Sequence, residues 1–140
     1  MTINSLQQLA RLINEANSII LSTHRQCDGD GLGAQLGLFH ALKHTSKKVR
    51  ILNVDATPKR YEFLDTSTWI QCFEEQHDKI QTTDLALIFD TNDHRLVEPL
   101  YSELKKQCRQ IAFVDHHPVL LQGPAPTIES HINTRAACTG

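Results

Sequence analysis

An α/β fold, with a parallel sheet and helices on both faces, is what this sequence predicts, and three observations predict it. Short, continuously apolar runs at Ser18–Thr23, Leu85–Phe89 and Ile111–Val114 read as strands buried on both sides. Segments of helical periodicity lie between such runs, and alternation of strand and helix is the pattern of a parallel sheet. Each run also ends in acid and imidazole. His24, Asp28 and Asp30 follow the first, Asp90, Asp93, His94 and Arg95 the second, and Asp115, His116 and His117 the third. Ligands of open parallel sheets bind at the carboxyl ends of the strands, so one site at one sheet edge is expected.

Taken in order, Ser5-Leu6-Gln7-Gln8 has the form of a capping box. Leu6, Leu9, Ala10, Ile13 and Ala16 then recur at helical spacing, giving a helix to about Asn17. After the first strand, His24 to Gly33 reads as a loop rich in glycine and acid. From Gly33 to Lys43 helical spacing returns, with Leu36, Phe39, Ala41 and Leu42 inward. Val49–Val54 reads as a strand, Pro58–Leu64 as one or two helical turns, and Trp69–Phe73 as a short strand. Beyond Leu85–Phe89, Pro99 opens a helix to about Cys108. The strand Ile111–Val114 follows. After His117 the chain loosens through Pro118, Gly123, Pro124 and Pro126 toward a strand at Thr127–Ile132. The tail from Ala136 to Gly140 resembles the opening of another helix and reads as a truncated end.

Length and composition narrow the classes. The 140 residues suit one domain spanning 1–140, with 40% apolar and 21% charged residues and no internal repeat. The formal net charge is −2, and no basic face of the kind that coats long duplex nucleic acid is visible. No apolar run approaches the ~20 residues needed to span a bilayer, so no membrane partner is expected, and the N-terminus lacks a signal-peptide pattern. Cys27, Cys72, Cys108 and Cys138 have no CxxC spacing and read as reduced cysteines of a cytoplasmic protein.

The strand ends carry the chemistry. In His24-x-x-x-Asp28-x-Asp30-Gly31 one imidazole and two carboxylates share a tight loop that glycine allows. Calcium loops also contain Asp-x-Asp-Gly, but no Glu closes this one. His24 alone reads equally as a hydrogen-bonded core histidine, and Asp90 alone equally as a helix N-cap. Together, His24, Asp28, Asp30, Asp90, Asp115, His116 and His117 make four carboxylates and three imidazoles. Such acids repel one another and take up protons unless cations intervene. Two divalent cations ~3.5–4 Å apart, bridged by one carboxylate and activating a water between them, remove the conflict. Mixed imidazole and carboxylate donors without thiolate favour Mn²⁺, with Fe²⁺, Co²⁺ or Zn²⁺ as competitors and Mg²⁺ less suited.

His24-x-x-x-Asp28-Gly29-Asp30, Asp90-Thr91-x-x-x-Arg95 and Asp115-His116-His117 together resemble the first three motifs of the DHH phosphoesterase family. That family includes RecJ-type exonucleases, short-oligoribonucleotide nucleases that also dephosphorylate phosphoadenosine phosphate, cyclic-dinucleotide phosphodiesterases and manganese-dependent pyrophosphatases. Asp28-Gly29-Asp30-Gly31-Leu32-Gly33 and Asp90-Thr91-Asn92-Asp93 are most similar to the short-oligonucleotide branch. The resemblance implies a parallel-sheet DHH domain with one metal held by His24, Asp28 and Asp90. It implies a second held by Asp30, Asp90 and His116, with Asp90 bridging. It further implies that His117 contacts the phosphate or protonates the leaving group, that Asp115 orients the neighbouring imidazole, and that Arg95 lies near the site. Cys27 stands where many relatives have proline, which predicts a looser loop; Gly31 and Ala34-Gln35 replace the commoner alanine and serine. The family's further aspartate and its C-terminal substrate-binding domain have no counterpart in these 140 residues, so the catalytic domain reads as incomplete at its C-terminus. The expected function is metal-dependent hydrolysis of phosphate esters in small nucleotides or short oligonucleotides, with a homodimer left open. The alternative is a truncated, catalytically weak module that binds metal, nucleotide or another protein.

Overall fold

The structure, a computed structural model, describes residues 5–76, 80–119 and 131–140. Its strands are β1 (Ser18–Thr23), β2 (Lys48–Asn53), β3 (Ile70–Cys72), β4 (Thr83–Phe89), β5 (Cys108–Asp115) and β6 (His131–Ile132). They form one sheet in the order β3-β2-β1-β4-β5-β6, and every neighbouring pair is parallel. Helices α1 (Ser5–Glu15), α2 (Gly29–Leu42) and α3 (Leu100–Gln107) connect them, with short 3₁₀ segments at Lys59–Leu64, Phe73–Glu75 and His94–Val97.

Strand periodicity explains the layers. Ile19 and Leu21 of β1 pack with Leu9 of α1 and with Leu36 and Phe39 of α2, whereas Ile20 packs in the layer that holds Leu100, Tyr101 and Leu104 of α3. Successive side chains of a strand face opposite ways, so a strand covered on both faces must be apolar throughout. This is why β1, β4 and β5, which lie inside the sheet, carry continuous apolar runs. The chain winds outward from β1 to β3, then returns to place β4 on the other side of β1. That reversal is a topological switch point, where a crevice opens above the strand ends.

Register brings the strand ends level. Thr23 pairs with Phe89, and Phe89 pairs with Val114. The next residue in each strand is His24, Asp90 and Asp115 respectively. A slip of one residue would turn each of these to the other face.

Several local expectations change. Helix α2 begins at Gly29, four residues before Gly33, because Asp28 caps it by accepting from the backbone N–H of Asp30 (3.1 Å) and Gly31 (3.4 Å). Its buried side includes Leu32 and Gln35, while Ala41 is exposed. Leu6 of α1 is exposed, and Ser5 Oγ lies 2.8 Å from His131 Nδ1, so the hydroxyl ties α1 to β6. Pro99 stands just before α3, and Glu98 supplies the cap by accepting from Ser102 N–H at 3.2 Å. Of the strand expected at Thr127–Ile132, residues 127–130 lie outside the described residues, and His131–Ile132 forms β6. The tail forms no helix through residues 133–140. Ala136 N–H closes a turn on the Asn133 carbonyl, and the N–H groups of Thr139 and Gly140 go to Asp30.

The base of the sheet has its own carboxylate. Asp84 accepts from the backbone N–H of Asn17 (2.8 Å) and Ser18 (3.3 Å), and the Asn17 N–H in particular holds its carboxyl below the usual range. A depressed folded-state value stabilises the fold above the unfolded pKa of about 3.9 and ceases to do so as pH falls through the folded value. Asp84→Asn should therefore lower the urea midpoint at neutral pH, with the gap to wild type narrowing below about pH 4. Urea titrations of both proteins at neutral and acidic pH check this; a gap independent of pH would refute it.

Candidate metal centre

The three level strand tips build one cluster around Asp90. This carboxylate is 3% exposed, and its backbone sits at φ 65°, in the left-handed region that Asp tolerates better than most residues. The twist aims the carboxylate between β1 and β5 while Asp90 N–H still reaches the Val114 carbonyl at 3.0 Å. Its Oδ2 lies 3.4 Å from His24 Nε2, and its Oδ1 lies 3.2 Å from His116 Nε2. Asp30 Oδ2 is 3.0 Å from the same His116 nitrogen. Asp28, the cap of α2, completes a group with His24 and Asp90, and Asp90 recurs in a second group with Asp115, His116 and His117. The five residues expected as metal ligands, His24, Asp28, Asp30, Asp90 and His116, are thus in one place.

The donor chemistry fits cations. His24 Nδ1 lies 2.8 Å from the Arg25 carbonyl, which can only accept, so Nδ1 carries the proton and Nε2 of the neutral ring presents a lone pair. That lone pair faces a carboxylate, and a proton or a cation must lie between them. Held this way, the ring is set in the tautomer that metal-ligating histidines use. Metal–nitrogen and metal–oxygen bonds of roughly 2.0–2.2 Å can span the observed separations. Without a cation, the hydrogen bond to Asp90 raises the His24 pKa against the lowering effect of burial. Burial raises Asp90, His24 offsets part of that, and the neighbouring carboxyls of Asp30 and Asp28 raise it further. Burial also pushes Asp28 upward, but hydrogen bonds from Asp90 and from the N–H groups of Gly31 and Asp30 outweigh it, leaving the pKa lowered. Burial pushes the Cys27 thiol in the same loop up to about 11.

His117 is held differently. Its Nδ1 meets Asp115 Oδ1 at 2.6 Å, and that bond raises the imidazole pKa. Asp115 is 3% exposed and is itself fixed by Asn92 Nδ2 (2.8 Å) and by the backbone N–H of His116 (2.8 Å). Extended backbone would send His116 and His117 to opposite faces, but β5 ends at Asp115, and the two rings lie 4.3 Å apart. They are separated by which ring nitrogen is engaged, Nε2 in His116 and Nδ1 in His117. Arg95 is exposed and forks onto Asp93, with Nε to Oδ1 at 2.9 Å and Nη2 to Oδ2 at 2.8 Å. It is absent from the cleft wall, whereas Asp93 belongs to it. The cleft, about 410 Å³, is lined by His24, Asp28, Asp90, Asp115 and His117 on one side and by Leu96 and Pro118 among its apolar members.

The His24–Gly33 segment is tied at Arg25 N–H to the Leu96 carbonyl (2.7 Å), at the Arg25 guanidinium to Glu74 (2.7 Å), and at Gln26 N–H to Asp55 Oδ2 (3.1 Å). Sequence reasoning gave no role to Asn92 or Thr139. Asn92 adjoins Asp90 in a motif already singled out, and a short amide beside a strand-end acid is a usable signal. Thr139 donates its N–H to Asp30 Oδ1 (2.8 Å) and its hydroxyl to Asp90 Oδ1 (3.2 Å) across 109 and 49 residues of sequence, which no local pattern reveals.

These features define a class: a parallel α/β domain whose switch point gathers carboxylates and imidazoles into a centre suited to divalent cations. The family model of the DHH family, N-terminal domain, matches residues 18–140, and the chain belongs to this family of phosphoesterases. It is 28% identical over 115 residues to the bifunctional oligoribonuclease and PAP phosphatase NrnA of Mycoplasma genitalium, a match covering 81% of this chain and 35% of NrnA. The chain therefore spans about a third of that relative. Among solved structures it is similar to an exopolyphosphatase-related protein from Bacteroides fragilis, with a TM-score of 0.83 and 19% identity, over 96% of this chain and 40% of that one. The second likeness concerns the fold alone.

Gly31 sets the distance between α2 and the strand tips. A β-carbon there would collide with Thr23 Oγ1, whose hydroxyl donates to the Phe89 carbonyl at 2.8 Å, and would touch Asp90 Cβ at 3.4 Å. Thr23 is β-branched and has few rotamers to retreat into. Gly31→Ala is expected to cost about 1–3 kcal/mol by overpacking. In a double-mutant cycle, Thr23→Ala should recover part of that loss. Equal urea midpoints for wild type and Gly31→Ala would show the contact to be soft.

Proposed function

We propose that this chain is the catalytic domain of a phosphoesterase that hydrolyses phosphate esters of small nucleotides or short oligonucleotides with two divalent cations, Mn²⁺ foremost. One observation carries the reading: Asp90 divides its two carboxylate oxygens between His24 on one side and His116 on the other. His24, Asp28 and Asp90 hold one cation; Asp30, Asp90 and His116 hold the other. When bound, the pair supplies Lewis acidity toward the phosphoryl oxygens and an activated water. His117 holds a proton on the ring, and Asp115 fixes its tautomer and keeps the protonated form favoured. From that position His117 gives the proton to the leaving oxygen. Arg95 acts indirectly, by offsetting the charge of Asp93 at the cleft wall.

Substrate class follows from charge and from the relative. A cleft of this size suits one or two nucleotides better than a long strand, and a net charge of −2 provides no basic track. NrnA is named for oligoribonuclease and PAP phosphatase activities, which makes di- to pentanucleotides and phosphoadenosine phosphate the substrates of choice. Cytoplasmic residence is part of the same proposal and rests on four unpaired cysteines; among the described residues no helix is long and apolar enough to cross a membrane.

Metal titration and turnover test the proposal together. Mn²⁺ binding followed by calorimetry should weaken more in Asp90→Ala than in any other single ligand variant, since that change removes a donor from both ions. Unchanged affinity in Asp90→Ala would sink the two-cation assignment. His116→Ala should lose metal and turnover together. His117→Ala should keep its metal and slow turnover by roughly 10²–10⁴-fold as a missing general acid does. If the two histidine variants behave the other way round, the roles are reversed. Tight, steeply salt-dependent binding of a long oligomer would move the substrate assignment to processive exonucleases.

A further inference from the structure

We propose that Thr139 is a positioning residue of the metal centre, clamping Asp30 and Asp90 in the arrangement that receives the second cation; this rests on the two-cation reading above. The segment reaches the site from the sheet edge. β6 pairs His131 with Val114 and Ile132 with Asp115, and Asn133 N–H continues the ladder to the Asp115 carbonyl at 2.9 Å. Two turn-closing bonds follow, Arg135 N–H to Asn133 Oδ1 (3.0 Å) and Ala136 N–H to the Asn133 carbonyl (3.1 Å). They fold the chain back over the strand tips and deliver Thr139 to the carboxylates.

The contacts divide the oxygens by role. On Asp30, Oδ2 lies nearest His116 Nε2, at 3.0 Å, while Thr139 N–H donates to Oδ1 at 2.8 Å and more weakly to Oδ2 at 3.1 Å. Gly140 N–H adds a longer bond to Oδ1, at 3.4 Å. On Asp90, the Thr139 hydroxyl donates to Oδ1 at 3.2 Å, the oxygen that also faces His116. A carboxylate oxygen has two lone pairs, so a hydroxyl can occupy one while the other faces a cation. Two acidic side chains held side by side repel and would otherwise turn apart. One residue that donates to both offsets the repulsion and fixes both rotamers before any ion arrives. Groups that orient ligands in this way typically change metal affinity about 10–100-fold when removed.

The test is Mn²⁺ binding, read from the electron paramagnetic resonance signal of the free ion, on three chains: wild type, Thr139→Val and Thr139→Ser. Val keeps the shape and the backbone N–H but has no hydroxyl; Ser keeps the hydroxyl. The expected result is a loss of roughly 10–100-fold in affinity for Thr139→Val, as for other groups that orient metal ligands, with Thr139→Ser close to wild type. Thermal unfolding in chelator should be alike for all three, separating a positioning role from loss of fold. Affinity in Thr139→Val equal to wild type overturns the proposal, and so does an equal loss in both variants, which would assign the effect to shape. Wild-type protein that binds no Mn²⁺ overturns the two-cation reading itself and the clamp with it, an outcome distinct from the other two.

Discussion

A buried carboxylate needs positive charge or a proton beside it, and at Asp90 this need shapes everything nearby. The group is 3% exposed and is crowded by the carboxyls of Asp28 and Asp30, which add to the effect of burial in raising its pKa. Isolated in such a place, an ionised carboxylate would cost several kcal/mol of lost hydration. Two imidazoles and a threonine hydroxyl converge on its oxygens instead. The same convergence leaves an imidazole on each of the two carboxylate oxygens of Asp90. Removing its carboxylate would leave His24 and His116 without their shared partner, so the cluster is better regarded as one unit than as separate ligands.

The crowding is a consequence of sheet geometry. Parallel strands β1, β4 and β5 are locked in register by apolar side chains on both faces, and the register ends all three at one level. The chain cannot relieve the repulsion by sliding a strand, because a one-residue shift would move Ile19, Leu21, Leu85 and Leu87 out of the layer they share with α1 and α2 and into the opposite one, breaking the packing of both. Burial of those side chains, each worth about 1.5–3 kcal/mol, outweighs the cost of assembling the acids. The core thus stabilises a polar cluster that would not hold together alone. Helix α2 contributes from above: its first turn points backbone N–H groups at Asp28, and its missing β-carbon at Gly31 lets the turn approach Thr23 and Asp90 closely.

How far the sequence reveals this depends on whether the cause is local. β1, β4 and β5 are readable because each must be apolar on both faces, and the acids at their tips are adjacent in sequence to those runs. The early start of α2 was hidden because glycines at 29, 31 and 33 look like loop, while the decisive event is one side-chain cap at Asp28. Leu6 and Ala41 share the helical spacing of the core residues but face outward, since periodicity of a short segment fixes a face only to within a residue or so. Arg95 lies in the 3₁₀ segment beyond β4, and Asp93, two residues earlier, holds its guanidinium outside the cleft wall. Thr139 shares no pattern with its partners at all; its place depends on how β6 and the turn at Asn133 pack, which is a property of the folded chain.

His116 and His117 show how one strand tip holds two imidazoles in different ways. Had β5 continued past Asp115, alternation would have placed the rings on opposite faces. Because it stops there, both imidazoles enter the cluster with their rings in contact, and something other than direction must tell them apart. Asp115 does so. Its Oδ1 receives both the His116 backbone N–H and the His117 side chain, so it bends the chain at the strand end and fixes the His117 ring in one act. Asn92, arriving from the end of β4, donates to the other oxygen of Asp115 and so holds both carboxylate oxygens in place. The aspartate that opens the Asp-His-His motif acts on the geometry of the two histidines, leaving the His116 ring on Asp30 and Asp90 and the His117 ring on Asp115 itself.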